Sequence, residues 1–348
     1  MILVIIIINI IMQLKRFCKL PRRGHANMRQ TQKRWSAMLL IMLVVVVLSA
    51  CGKPAAEGGT QREGADKQAT EQARTITHMK GERVFEKAPE RIVVLDTQYL
   101  DQLTALGQRV AGSAVATNEA TPFPAYLVDK IGDVTQIGSS SGVNLEAVLA
   151  LNPDVIICTE FQNEIYDALD KIAPTLMFER NEDWQKTIVT LGQLLHKEKE
   201  AEQVINDYNK KVASLKADLA KKMGDETVAM IRPRDKQIRI HTTAHRTSQI
   251  LYQDLGLKAP AMVLDDKNTS AMINLEVMPE LNADHLFVLT DNQYQQLTEE
   301  FAQTAVWNSL KPVQNKQVYT VNTTTWIVYY GPLAINRIVD EIAASLLP

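Results

Sequence analysis

Asn144-Leu145-Glu146-Ala147-Val148-Leu149-Ala150-Leu151-Asn152-Pro153-Asp154 recurs 130 residues later as Asn274-Leu275-Glu276-Val277-Met278-Pro279-Glu280-Leu281-Asn282-Ala283-Asp284. Asn, Leu and Glu open each copy; Leu, Asn and a later Asp close it. Each copy runs into an apolar segment, Val155–Cys158 or His285–Leu289. Asn caps a helix by accepting its first free N–H groups, and Glu in the first turn suits the positive end of the helix dipole. The closing Leu-Asn ends the helix ahead of a buried strand. Limited capping chemistry alone can make two unrelated helix–strand units look alike. The reading adopted is a chain of two similar α/β lobes, each carrying an acidic residue at the same place.

Working outward, the first 50 residues carry eight basic side chains (Lys15, Arg16, Lys19, Arg22, Arg23, Arg29, Lys33, Arg34) and no acid. An apolar run from Ala37 to Leu48 follows, then Leu48-Ser49-Ala50-Cys51-Gly52. A basic region, a short apolar run and a small-residue cleavage point predict a secretory signal over 1–50. The run is too short for a span of roughly 20 residues. Leu-Ser-Ala-Cys resembles the lipobox of bacterial lipoproteins, which implies lipidation of Cys51 and attachment to the outer face of the cytoplasmic membrane. Met28 opens a more ordinary signal than Met1 and is the expected translation start. Cys18 goes with the leader and Cys51 takes the lipid, so Cys158 is left alone. No disulfide framework is possible in the mature chain, and stability must come from core packing. The absence of paired cysteines together with the lipobox fits a Gram-positive envelope. Loss of the leader's eight basic residues from the chain's 38 leaves 30 against 40 acidic. That balance argues against nucleic acid as a partner.

Residues 51–74 are Gly, Ala, Glu, Gln, Thr and Lys with almost no large apolar side chain, which predicts a flexible tether behind the lipidated Cys51. Short β-like segments follow at Thr75–His78 and Arg83–Phe85. Over 75–182 strands alternate with helices: strand Arg91–Asp96, helix Gln98–Leu106, strand Val110–Ala114, helix Asn144–Leu151, strand Asp154–Cys158, helix Asn163–Ile172, strand Thr175–Phe178. Such alternation predicts a mainly parallel sheet covered on both faces. Residues 183–223 give no strand signal. Trp184, Ile188, Leu191 and Leu195 share one helical face; Val204, Ile205, Tyr208, Val212, Leu215 and Leu219 form another stripe. The charged segment His196–Glu200 separates them. The second helix, about 20 residues, would span roughly 30 Å. Alternation resumes over 224–348, with strands Thr227–Ile231 and Gln237–His241, helix Thr247–Leu255, helix Asn274–Leu281, strand His285–Leu289, strand Gln317–Val321 and helix Pro332–Leu346.

Six segments in order and spacing carry a family resemblance: Pro89–Gly107, Ile137–Cys158, Lys171–Phe178, Leu251–Pro260, Ile273–Leu289 and Trp307–Asn322. Over about 76–347 the chain resembles the substrate-binding lipoproteins of iron–siderophore ABC importers, the class of periplasmic binding proteins with a helical backbone that also holds cobalamin and haem binders. The resemblance implies two Rossmann-like lobes joined by one long α-helix, with the ligand in the cleft between them and little closure. It also implies that Glu146 and Glu276, one on top of each lobe, pair with arginines of a transmembrane permease. Cleft tryptophans of the family match Trp326, in a segment that also carries Tyr329 and Tyr330.

In α/β lobes ligands bind outside the C-terminal ends of the strands. That rule selects Thr97, Gln98 and Tyr99, the turn Ser139-Ser140-Ser141, and Glu160 and Phe161. In the second half it selects Arg232 and Arg234, then His241 to Arg246, including His245; Arg239 joins Arg232 and Arg234 as a cluster of cations in an otherwise acidic chain. A ferric siderophore presents oxygen-rich edges that the planar fork of arginine grips in pairs, while aromatic rings cover its apolar frame. The family's arginine in the loop occupied by Ser139–Ser141 is missing here, which favours a hydroxamate or citrate–hydroxamate ligand over a catecholate. His241 and His245 straddle a strand end and lack a third ligand, so no direct protein–metal bond and no resident cofactor is expected; iron would arrive saturated by its siderophore. Two rivals stand beside this reading. One is haem or cobalamin on the same fold, where haem would need an axial ligand that His245 or Tyr329 could supply. The other is a surface-anchored ferric reductase or hydrolase using His241, His245 and Glu160. The sequence supplies neither a nucleophile elbow nor a phosphate loop for it. The expectation is a monomeric receptor that turns nothing over.

Overall fold

The computed structural model describes residues 73–116, 120–234 and 237–347. The predicted leader, Cys51 and all but the end of the tether lie outside the described residues. Strand β1 (Arg74–His78) and β2 (Gly81–Phe85) form an antiparallel hairpin. Next come β3 (Ile92–Val94), β4 (Gly112–Ser113) and β5 (Thr135–Gln136). A small hairpin of β6 (Gly138–Ser139) and β7 (Gly142–Val143) precedes β8 (Val155–Thr159) and β9 (Thr175–Phe178). The first sheet has the order β5-β4-β3-β8-β9 and every pairing in it is parallel. Ile92, Val93, Val94 and Val155–Cys158 are fully buried, as strands covered on both faces must be.

The second sheet contains β10 (Val228–Arg234), β11 (Gln237–His241), β12 (Ser270–Ile273), β13 (His285–Thr290) and β14 (Val318–Asn322), in the order β12-β11-β10-β13-β14. Here the expectation of a mainly parallel sheet is corrected, since two of the four pairings are antiparallel. β10–β13 and β13–β14 are parallel, but β11 is antiparallel to both β10 and β12. Arg234 and Gln237 are too close in the chain for a helical crossover, so β10 can only turn back on itself.

Between the sheets run helices Trp184–Leu195 and Glu198–Met223. Asp183 caps the first by accepting from Gln185 N (2.9 Å), and His196, in the left-handed region at φ 57°, ends it. The second has Glu198 and Glu200 in its first turn, Lys221 and Lys222 in its last, and stops at Gly224 (φ 54°). At 26 residues it is longer than the expected rod and spans about 39 Å. Among the described residues no helix is long and apolar enough to cross a membrane. One continuous core links Ile92 and Val94 of the first sheet, through Ile188, Leu191 and Tyr208, to Met230, Phe287 and the buried face of the C-terminal helix Pro332–Leu346. That shared core makes the helical connection stiff.

The repeat is structural. Asn152 and Asn282 both sit in the left-handed region, at φ 45° and 47°. Asp154 accepts from Arg91 N (2.8 Å) just before β3, and Asp284 accepts from Thr227 N (2.7 Å) just before β10. In return, Asp154 N donates to Arg91 O and Asp284 N to Thr227 O. Burial matches at every position of 141–160 against 271–290 except Leu151 against Leu281. One difference lies in the helices: the second copy divides into a tight turn Leu275–Val277 and a short helix Met278–Leu281. Two other expected helices divide as well. The segment after β8 is a 3₁₀ turn over Glu160–Ile165 before helix Tyr166–Ile172, and the segment after β11 is helix Arg246–Gln249 followed by a π-turn at Ile250–Asp254.

Candidate functional site

The strand ends of the two sheets meet across a set of polar contacts. After β3, Asp96 is buried and caps helix Thr97–Ala105 by accepting from Gln98 N (3.2 Å). After β9, Arg180 Nε donates to Asp96 Oδ2 (3.1 Å). Burial pushes the Asp96 carboxyl up, and the Arg180 cation pulls it back down. From the second half, Arg246 reaches across: Nη1 donates to Gln98 Oε1 (3.2 Å) and Arg180 O (2.8 Å), and Nη2 to Glu182 O (3.4 Å). Its Cζ lies 4.1 Å from the centroid of Tyr330. Burial lowers the Arg246 pKa, the expected direction for a cation leaving water.

Tyr330 is strained, a bulky residue at φ 42°. Its hydroxyl bonds His245 Nε2 (3.2 Å), and His245 Nδ1 accepts from Thr247 N (3.2 Å), so the neutral tautomer carries its proton on Nε2. Burial, then the neighbouring Arg246 cation, lowers the His245 pKa to about 4. The His241 ring lies 4.3 Å from that of His245, is buried, and has no hydrogen-bond partner at either nitrogen among the described residues. Burial holds it neutral too, helped by the nearby cations of Arg239 and Arg232. Gln98 Nε2 is likewise buried without a partner. A cavity of about 250 Å³ opens beside Arg246 and Tyr330, between Trp184, Gln185 and Gln249. A second hollow of about 220 Å³, among Met278, Leu281, Leu286 and Leu310, carries none of these groups.

A second cluster adjoins through His241. Arg232 and Arg239 face each other across β10 and β11, a costly like-charge pairing. It is relieved by Asp291, whose Oδ2 accepts from Arg232 Nη2 at 2.7 Å with both side chains buried. The cations of Arg232 and Arg234 lie 5.2 and 5.8 Å from the ring centroid of Tyr294. Arg232 is thus already committed to a carboxylate of its own lobe.

The other predicted positions scatter. Thr97 is buried and its hydroxyl donates to Val328 O (3.4 Å). Tyr99, Trp326 and Tyr329 are core residues instead of cleft walls. Tyr99 packs on Phe178; Trp326 packs on Phe287 and donates from Nε1 to Glu341 Oε2 (2.7 Å); Tyr329 meets Tyr126 edge-on. The helix Thr323–Ile327 after β14 turns the Trp326 ring inward, which alternation along the chain could not foretell. Ser139 bonds Ser141 within its hairpin, and Ser140 O accepts from Gln162 Nε2. Glu160 accepts from Arg180 N (2.8 Å), while Phe161 stands 61% exposed. Glu146 and Glu276 are exposed at equivalent positions. Cys158 is buried, its thiol pushed up to about 12 by burial. Among the described residues no group of three or more His, Cys, Asp or Glu is arranged to hold a metal ion.

Sequence reasoning missed Asp96, Arg180, Asp291 and Tyr294. The strand-end rule that selected Glu160 extends to Arg180, two residues beyond β9, but its acidic neighbours Glu179, Glu182 and Asp183 disguise it as a surface pair.

The model of the periplasmic binding protein family matches residues 92–324. The chain is 29% identical to the probable siderophore-binding lipoprotein YfiY of Bacillus subtilis, over 91% of this chain and 99% of that one. It is 28% identical to the Fe(3+)-citrate-binding protein YfmC of the same organism, over 86% and 93%. Among solved structures, Staphylococcus aureus SirA complexed with staphyloferrin B superposes with a TM-score of 0.70 at 26% identity, covering 79% of this chain and 98% of SirA.

Proposed function

The chain belongs to the periplasmic binding protein family, and from that premise we propose that it captures a ferric siderophore between its lobes and delivers it to an ABC importer. The observation that carries this reading is the cluster where the strand ends of the two sheets meet. Arg180 and Arg246 flank Tyr330 there, beside buried polar nitrogens of Gln98 and His241 that have no partner among the described residues. Buried polar atoms are nearly always satisfied, so such a concentration suits a ligand that brings acceptors. Guanidinium and amide groups bond the outer oxygens of a preassembled chelate, whose own oxygens hold the iron. Hydroxamate and citrate–hydroxamate chelates both have such edges. A relative named as binding ferric citrate and a similar structure complexed with staphyloferrin B support a ferric chelate as the ligand.

Glu146 and Glu276, exposed at matched sites, would dock the two lobes on the permease, and Cys51 would carry the lipid that keeps the monomer at the outer face of the membrane. In this reading the chain binds and releases its ligand without turning it over. His245 has both ring nitrogens engaged, which leaves it poorly placed to act as an axial haem ligand. The test is a titration of the full-length chain in detergent, following tryptophan fluorescence, with ferric hydroxamate, citrate and catecholate complexes, and with haem followed by absorbance. Saturable quenching by a ferric chelate is expected. A Soret shift with haem and no response to any ferric chelate would refute the proposal.

A further inference from the structure

Among the described residues, Arg180 keeps its fork open. Its Nε is held by Asp96, and its Nη groups make no hydrogen bond among the described residues. The side chain is 23% exposed, against 2% for that of Asp96. Its Cζ lies 5.4 Å from the ring centroid of Phe161 and 5.6 Å from that of Tyr330. Phe161 comes from the first half and Tyr330 from the second, so the guanidinium stands between aromatic rings of the two lobes. Arg246, by contrast, spends its Nη groups on Gln98, Arg180 O and Glu182 O, and Arg232 spends Nη2 on Asp291.

We propose that Arg180 is the first lobe's anion contact, and that it selects ferric chelates bearing a carboxylate over hydroxamate chelates that bear none. This rests on the siderophore reading above and narrows it. An arginine fixed at Nε and open at both Nη groups offers two parallel donors at the spacing of carboxylate oxygens. Asp96 is its positioning residue. It orients the fork from a buried site and leaves the outward edge positive. His241 and His245, buried and held neutral, add no second positive charge beside it at neutral pH. Phe161, exposed beside the fork, would cover the chelate's apolar edge. The acidic chain as a whole, at formal charge −2, repels anions in general, so a positive notch confined to the junction of the lobes acts on a ligand seated there.

The experiment titrates the full-length chain and its Arg180→Gln and Arg180→Lys variants with ferric dicitrate, which is anionic, and with ferrioxamine B, a hydroxamate complex without a carboxylate. Arg180→Gln is expected to weaken ferric dicitrate by about tenfold to a hundredfold, the loss of a charge-assisted pair, and to change ferrioxamine B by less than about threefold. Arg180→Lys keeps the charge without the fork and should fall between. The proposal is overturned if Arg180→Gln changes both affinities equally or neither. It is also overturned if the unaltered chain binds ferrioxamine B and ignores ferric dicitrate, a result that leaves the siderophore reading standing. An unaltered chain that binds neither, nor any other ferric chelate, removes that reading and this one with it.

Discussion

Asp101 ties the first helix of the first lobe to the last helix of the second. It is fully buried on helix Thr97–Ala105 and accepts from Leu333 N (2.8 Å), Ala334 N (2.9 Å) and Tyr126 OH (2.8 Å). Helix Pro332–Leu346 has no side-chain cap of its own at Gly331, so Asp101 supplies it from another part of the fold. Packing is tight enough that a Cβ at Gly331 would collide with the carboxylate. Asp101→Ala leaves two backbone N–H groups and a phenol unsatisfied in the core, at about 1–3 kcal/mol each. Relief of a buried charge offsets part of this, and a net loss of about 3 kcal/mol at pH 7 is expected. In a chain of this size that lowers the midpoint of thermal unfolding by about 5 °C. Burial raises the Asp101 pKa from 3.8 to about 7, with the three donors limiting the rise. Between those values the folded protein holds a proton that the unfolded chain has released. The stability this proton contributes is therefore complete below the unfolded value and lost as pH rises through about 7. The gap between wild type and Asp101→Ala should be wider at pH 5 than at pH 8 by on the order of 2 kcal/mol. Calorimetry or circular dichroism across that range measures it. A loss below about 1 kcal/mol, or a gap that grows toward alkaline pH, would show that the carboxylate does not act as argued.

Replacing Glu146 and Glu276 together with Ala should abolish iron uptake in cells while ligand affinity stays unchanged; a parallel loss of affinity would give them another role. Arg232→Ala removes a guanidinium paired with buried Asp291 and should cost about 3 kcal/mol of stability, which denaturant melts measure. His245 has its pKa lowered from 6.5 to about 4, so its contribution is present above 6.5 and lost as pH falls toward 4. His245→Gln should flatten the acid side of the stability profile by on the order of 2 kcal/mol, and an unchanged slope would contradict this.

How much was legible beforehand divides by the range of the interaction. The repeat around Glu146 and Glu276 was readable because the Asn-Leu-Glu opening, the Leu-Asn close and the apolar run that follows all lie within about twenty residues of sequence. The two helices between the sheets were readable because their apolar stripes keep a period of 3.6. β11 was placed as a strand but not in direction, since a hairpin and a crossover differ in where the chain returns. Trp326 was read as a cleft residue and lies in the core, because a short helix after β14 rotates its ring onto Phe287. Arg180 was passed over, since nothing within ten residues reveals Asp96 or Tyr330 as its neighbours.

The amino-acid order by itself determined the secondary elements, the twofold likeness of the lobes and the long rod between them, since each follows from local propensity and periodic burial. Only the tertiary structure decided which charges remain open. Arg232 and Arg180 are alike in composition and both stand at strand ends. The fold sets Asp291 against the Nη edge of one and Asp96 against the Nε edge of the other. A guanidinium has five donors, and which of them face outward depends on where long-range packing puts the partner carboxylate.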